Sequence, residues 1–349
     1  MQYRILGRTG LRVAELCLGT MTFGEEWGFG AAKEECAKIF DAYVKAGGNF
    51  IDAANHYTDG TSEKIVGEFI HADRERFVVA TKYTLGHPNG DPNAAGNHRK
   101  SMMQSLNGSL KRLNTDYIDL YWVHAWDGIT PIDELMRALD DMVRAGKVLY
   151  VGISDAPAWV IARANTMADF HGWTPFSAIQ VQYSLIERAV ERELLPMANE
   201  LDLAVAAWSP LGGGVLSGKY SKNASPSTEP ARFTDNPMTP AFVNQRTLAI
   251  AAEVQVVADE VGKSPVQVAL AWLRQRRGVV IPIIGARKLS QVTDSLGCTE
   301  WALSPSHVER LNHASQIELG FPHDFLASAF VREVVHAGMY DAIINHRDR

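Results

Sequence analysis

Residues 119–154 read DLYWVHAWDGITPIDELMRALDDMVRAGKVLYVGIS. Two apolar runs, DLYWVH at 119–124 and VLYVGIS at 148–154, are continuous rather than alternating, the pattern of parallel strands buried on both faces. Between them the spacing predicts a helix over 130–146. Thr130 is placed to N-cap it and Pro131 suits its first turn. Leu135, Leu139, Met142 and Val143 form one stripe, and Gly146 ends it. Strand, helix and strand make one unit of a parallel sheet.

The unit recurs on both sides. Apolar β-type runs precede it at 14–19 (AELCLG), 49–54 (NFIDAA) and 77–82 (FVVATK). Others follow at 177–183 (SAIQVQY), 203–209 (LAVAAWS) and 279–285 (VVIPIIG). Eight strands alternating with helices across roughly 300 residues predict an α/β fold of the closed (β/α)8, or TIM barrel, kind. A doubly wound sheet would carry a G-x-G-x-x-G turn after its first strand. Here that strand runs into Leu18-Gly19-Thr20-Met21-Thr22-Phe23-Gly24, which lacks the spacing. Ser264-Pro265-Val266-Gln267 reads as a capping box with proline first, and Ser304-Pro305 opens another helix.

Three segments lie outside the eightfold pattern. Residues 3–14 predict an N-terminal β-hairpin with Thr9-Gly10 between its extended runs. A Ser/Pro/Asn-rich stretch at 221–240 predicts a long loop after the seventh barrel strand. Residues 321–349 form a C-terminal extension. Its Phe325, Leu326, Phe330, Val334, Val335 and Tyr340 predict packing back onto the barrel, while its role stays open between covering the pocket, capping the barrel and touching a neighbour. No linker divides the chain, so residues 1–349 read as a single barrel domain.

The chain has 349 residues, 34 basic against 40 acidic, for a net charge of -6. That balance excludes a generally basic nucleic-acid binder and supplies no acidic tail. Cys17, Cys36 and Cys298 form no CxxC and have no histidine cluster beside them. A disulfide framework or zinc site is not expected, and a reducing, cytoplasmic setting is. The N-terminal MQYRILGRTG has no apolar run of signal-peptide length, and no stretch approaches the ~18 apolar residues needed to span a bilayer. Sequons at Asn107 and Asn223 carry little weight without secretion.

In such a barrel the chemistry sits at the C-terminal ends of the strands. The second strand ends in Asp52, with Tyr57 just beyond; the third ends in Lys82 and the fourth in His124. Taken singly, the Asp is more often a cap and the His more often a satisfied core residue. Together they bring four titratable groups to one mouth. A buried lysine beside a buried aspartate is tolerable where either alone is costly. Positive charge beside a tyrosine favours its phenolate and makes it a usable general acid near neutral pH. A tyrosine that protonates a carbonyl oxygen is what hydride addition to a carbonyl requires.

GNFIDAANHYTDGTSE, FVVATKY, SLKRLNTDYIDLYWVH, VGISD, IQVQYS and WSPLGGGVLSGKY resemble the aldo-keto reductases, in consistent order from about residue 3 to about 320. The resemblance is more particularly to the bacterial and potassium-channel-β-subunit-like branches. It implies that Asp52, Tyr57, Lys82 and His124 are a catalytic tetrad. Tyr57 would donate the proton, Lys82 tune it, Asp52 hold Lys82, and His124 orient the carbonyl. It also implies NAD(P)H lying across the barrel mouth. Gly19, Thr20 and Met21 would approach the nicotinamide ribose and pyrophosphate. Asp52 would also border the cofactor. Ser154 and Gln180 would hold the carboxamide, and Trp208 would stack on the nicotinamide. Ser209, Pro210, Leu211, Gly213 and Lys219 would line the pyrophosphate. Gly285, Arg287, Gln291, Asp294 and Ser295 would take the adenosine phosphate. Arg287 suits a 2′-phosphate, which favours NADPH (NADP+) over NADH. Two positions depart from the family. Ile179 stands where Asn commonly precedes the Gln, and Ser295 where Asn is common near the adenine.

Gly213 to Lys219 also fits G-x-x-x-x-G-K, but Tyr220 follows where a phosphate loop needs Ser or Thr. The substrate is expected above Tyr57 and His124, between walls from Phe23, Trp27, His56 and Trp126; aromatic walls favour a small carbonyl compound with a flat or apolar body. No metal is expected, and a homo-oligomer is left open. Two rivals stand beside an NADPH-dependent carbonyl reductase. One is an NADPH-binding redox-sensing or regulatory subunit with little turnover. The other is a Schiff-base aldolase using Lys82, disfavoured because Asp52 should keep that lysine charged.

Overall fold

A computed structural model describes residues 1–86, 90–220 and 242–345. Two short antiparallel strands come first, β1 (Tyr3–Ile5) and β2 (Arg12–Ala14). Eight parallel strands follow: β3 (Cys17–Gly19), β4 (Phe50–Asp52), β5 (Val78–Tyr83), β6 (Ile118–Val123), β7 (Val148–Ser154), β8 (Phe176–Gln182), β9 (Ala204–Trp208) and β10 (Val280–Gly285). They close into one barrel, with β10 pairing back onto β3 through Ile283–Cys17 and Gly285–Gly19. The expected (β/α)8 barrel with its N-terminal hairpin is therefore observed.

Helices α1 (Lys33–Lys45), α2 (Thr61–Ile70), α3 (Arg99–Leu113), α4 (Ile132–Arg144), α5 (Ala158–His171) and α6 (Leu194–Glu200) alternate with the strands. Then come α7 (Gln245–Val261), α8 (Pro265–Arg274), α9 (Leu289–Leu296) and α10 (Pro305–Ala314). The short α11 (His323–Leu326) and α12 (Ala329–Val335) belong to the C-terminal extension.

The core has two shells, because each strand is apolar on both faces. Inside the barrel, Cys17, Phe50, Val78, Leu120, Trp122 and Ile281 pack together, and Leu6 and Val13 of the hairpin plug the lower end. The outer shell lies between strands and helices, where Ile51, Tyr121, Leu139, Ile179 and Trp272 meet. Two glycines are forced by close approach. At Gly7, in the hairpin turn with φ +52°, a Cβ would fall 2.4 Å from the Ser177 carbonyl oxygen. At Gly152, on β7, a Cβ would meet the Trp122 ring at 2.4 Å.

Several local expectations need correction. The first barrel strand is Cys17–Gly19, not 14–19, because Ala14 pairs in the hairpin opposite Tyr3. Pro131, not Thr130, occupies the N-cap of α4; the Thr130 hydroxyl donates instead to Asp127 at 2.6 Å. At α8 only half the capping box forms. Ser264 Oγ accepts from the Gln267 amide N–H, but the Gln267 side chain turns to Asp294. The expected loop at 221–240 lies outside the described residues. In the extension, the six apolar side chains expected to pack onto the barrel are all exposed; Val331 is the buried one. Among the described residues no helix is long and apolar enough to cross a membrane.

Candidate active site

Barrel register brings the four expected titratable residues to one end. Asp52 is the last residue of β4, Lys82 the last but one of β5, and His124 follows β6 directly. Tyr57 opens a single turn, Tyr57–Gly60, between β4 and α2. Lys82 is fully buried and Asp52 2% exposed. The Lys82 Nζ is the hub. It donates to Asp52 Oδ2 at 2.5 Å, to the Ala53 carbonyl at 2.9 Å and to Tyr57 Oη at 3.0 Å. Gln180 Nε2 donates to the other Asp52 oxygen at 3.0 Å. The Tyr57 and His124 rings lie edge to face, 5.9 Å apart.

The electrostatics follow from burial and neighbours. Burial alone would pull the Lys82 ammonium down, but the charges of Asp52 and Tyr57 and their hydrogen bonds outweigh it and hold Lys82 above its ordinary value. A lysine held charged is a poor nucleophile, which removes the ground for a Schiff base. His124 is pushed the other way, well below its ordinary value, first by burial and then by the Lys82 and His56 charges. Its imidazole is therefore neutral near pH 7. Its Nδ1 is buried with no hydrogen-bond partner among the described residues.

The loops around this centre are held by side chains that sequence reading passed over. Asn97 is buried, donates to the Thr84 hydroxyl and the Ala125 carbonyl, and accepts from the Asp127 amide at 2.7 Å. It thereby ties the loops after β5 and β6 together beside His124. Thr58 and Asp59, next to Tyr57, both have left-handed φ, +44° and +56°. Thr58 Oγ1 donates to the Phe23 carbonyl, and Asp59 Oδ1 accepts from Trp27 Nε1 at 3.2 Å. Thr84, Asp155 and Ser209 also have φ near or above +46°, and each follows a barrel strand at the same end. Such strain persists only where surrounding contacts over-determine it, and it clusters at functional sites.

The expected pocket walls divide. Trp27 stands 6.3 Å from the Tyr57 ring at 80° and 5.3 Å from the His56 ring, with Phe29 at 6.0 Å behind it. Trp126 is half-buried and packs against the outer shell. Phe23 is fully buried and meets Phe69 edge to face in the core. Phe29 and Asp59 were missed, since nothing in a loop sequence says which way it folds. Asp155 was missed too. It directly follows Ser154 in the VGISD run, and its Oδ1 accepts from Trp208 Nε1 at 3.1 Å.

The expected cofactor residues also divide. Trp208 is half-exposed at the end of β9, and Ser209, Gly212, Gly213, Gly214 and Gly218 turn the following backbone through left-handed φ. Pro210 is buried, Leu211 half-buried and Lys219 exposed there. Ser154 and Gln180 are buried at adjacent strand ends, paired in register. Gly19 ends β3 and Met21 is half-buried beyond it. Gly285 ends β10 exposed. Arg287 is half-exposed before α9, its amide donating to Gln291 Oε1 at 2.8 Å. Three side chains are spent internally. The Thr20 hydroxyl bonds the Asp52 carbonyl and Ser62, Asp294 Oδ1 accepts from Ser264 and Gln267, and Ser295 is buried in α9. Ile179 packs in the outer shell, on the face of β8 opposite Gln180. A hollow of about 550 Å³ lies elsewhere, between the loop at Gly24–Lys33 and α2, and is lined by Glu25, Lys64 and Glu68. Among the described residues no group of His, Cys, Asp or Glu could hold a metal ion.

A family model described as the aldo/keto reductase family matches residues 15–316. Norsolorinic acid reductase B of Dothistroma septosporum is 38% identical over 338 residues, covering 94% of this chain and 85% of its own. An aryl-alcohol dehydrogenase (NADP(+)) of Phanerodontia chrysosporium is 36% identical over 349 residues, covering 95% and 91%. A norsolorinic acid reductase of Aspergillus flavus is 36% identical over 337 residues, covering 93% and 84%. None of these three carries a bacterial or channel-subunit name.

Proposed function

The chain belongs to the aldo/keto reductase family and is an oxidoreductase, and from that premise we propose that it reduces aldehyde and ketone carbonyls to alcohols with NADPH, Tyr57 being the proton donor. The observation that carries the reading is the Lys82 Nζ bonded at once to Asp52 Oδ2 and Tyr57 Oη. When the proton leaves Tyr57 for the carbonyl oxygen, the oxyanion left behind faces a charged ammonium at hydrogen-bond distance. Asp52 keeps that ammonium charged and in place, and Gln180 fixes the second Asp52 oxygen. The neutral His124 can direct a ring N–H at the carbonyl oxygen without competing as an acid. Trp27, His56 and Trp126 supply flat apolar surface around the substrate.

NADPH, when bound, supplies the hydride to the carbonyl carbon. The residues present suit it. Trp208 offers a flat face pinned by Asp155, the glycines of 209–218 carry the backbone through left-handed φ, and Arg287 stands at the start of α9. Ser154, Gln180 and Met21 complete the proposed set on the nicotinamide side. Thr20, Asp294 and Ser295 would act by shaping the site, since their polar atoms are engaged or buried. Within the family we place the chain with the aryl-alcohol dehydrogenase and norsolorinic acid reductase relatives rather than with the bacterial and channel-subunit-like branch. Three free, buried thiols suit a reducing, cytoplasmic setting.

Tyr57→Phe keeps the ring and removes the proton. Steady-state NADPH oxidation with an aromatic aldehyde is expected to fall by about 10²–10⁴-fold, the usual worth of a general acid. A variant that keeps the native rate would overturn the assignment.

A further inference from the structure

Among the described residues twenty large hydrophobic side chains are exposed, and ten of them fall within residues 321–344. Phe321 is 85% exposed, Phe330 71% and Ile344 92%. The segment is folded. Asp324 accepts from the Gly320 amide at 2.9 Å, Ser328 caps α12 through the Val331 amide, and the Phe321 and Phe325 rings lie 6.2 Å apart. It is also anchored. Val331 is buried, Arg192 donates to the Glu318 carbonyl at 2.9 Å, and His323 meets Glu193 at 3.1 Å. Val331 thus faces the barrel, and the ten exposed apolar side chains lie on the remaining surface of the segment. At roughly 100 Å² each, ten such side chains present on the order of 1,000 Å² of apolar surface. A lone soluble chain exposes about 300–600 Å² in its largest apolar patch. A stable dimer needs about 800 Å² from each partner.

We propose that the outer face of residues 321–344 is the contact between two copies of this chain, joined about a two-fold axis. The size of the face is that of one half of a dimer interface. Phe330 and Val334, four apart on α12, form a ridge, and a two-fold contact sets the same ridge against its copy. Charge separates a second copy from a lipid surface. Residues 321–349 hold three arginines, four carboxylates and no lysine. A helix lying on a membrane needs a polar face rich in Lys and Arg, and an anionic leaflet repels a segment that is net acidic.

Sedimentation velocity of the full chain tests this. The wild type is expected at twice the mass of one chain. Phe330→Asp with Val334→Asp is expected to weaken association by about 100-fold or more, as loss of central anchors does. Phe170→Asp, at an exposed apolar site on α5, is expected to leave the dimer intact. Hydrogen exchange on the wild type supplies a measurement free of mutation: the 321–344 amides should exchange more slowly at high protein concentration than at low. A wild type that stays monomeric, or a tail variant that still dimerises, overturns the proposal. So does flotation with phosphatidylserine-containing vesicles that the tail variant abolishes.

Discussion

At the scale of the residue, one lysine organises the site. Lys82 is fully buried, and its ammonium is answered by Asp52, Tyr57 and the Ala53 carbonyl. His124 has the opposite lot, a neutral ring in the same field. This carries a stability consequence. Unfolded, the His124 imidazole takes a proton at about pH 6.5; folded, only well below that. Between the two the unfolded state binds more protons, so this contribution is full above about pH 6.5 and is lost as pH falls through the folded value. The denaturation midpoint of the apoprotein should therefore drop on going from about pH 7 to about pH 5, and drop less in His124→Asn. Parallel curves would contradict it. Arg287 carries a second residue-scale expectation. Arg287→Ala should weaken NADPH binding by about tenfold, in line with a charge-assisted phosphate contact, and leave NADH binding unchanged. Fluorescence titration with each cofactor decides it, and equal losses would remove the 2′-phosphate assignment.

At the scale of the element, the strands were readable and the loops were not. Continuous apolar runs mark a parallel strand whatever surrounds it, so β7 falls on the expected 148–154 and the others within a few residues. Side chains borne on those strands that we propose as catalytic, Asp52 and Lys82, were legible for the same reason. Loop residues are positioned by long-range partners that no local pattern shows. Phe23 looked like a pocket wall because it follows β3, yet the loop turns it inward against Phe69. Asp59 and Asp155 matter through Trp27 and Trp208, at separations of 32 and 53 residues. Strand packing itself can be tested at Gly152. The Trp122 ring occupies the space a side chain would need, between two paired strands with no room to part. Gly152→Ala should cost about 1–3 kcal/mol, the ordinary range for overpacking, read as a lowered urea midpoint at unchanged slope. No loss of stability would show that the interior of the barrel yields.

At the scale of the whole molecule, closure of the barrel is what makes the chemistry possible. Eight strands in register put Asp52, Lys82, His124, Ser154, Gln180 and Trp208 at one end, although 156 positions separate the first from the last. The C-terminal extension shows the limit of sequence reading at this scale. Its apolar content suggested packing onto the barrel, but the six side chains singled out stay exposed, because composition says nothing about which way a segment turns its apolar side chains. The central claim, hydride transfer to a carbonyl under the control of Tyr57, is tested most directly by label transfer. The protein is incubated with C4-deuterated NADPH and an excess of an aromatic aldehyde, and the alcohol is analysed by mass spectrometry. Deuterium on the carbinol carbon, accumulating over many turnovers per chain, is the predicted result. Absence of label in the alcohol, or product that stops at one equivalent per chain, would contradict a working reductase.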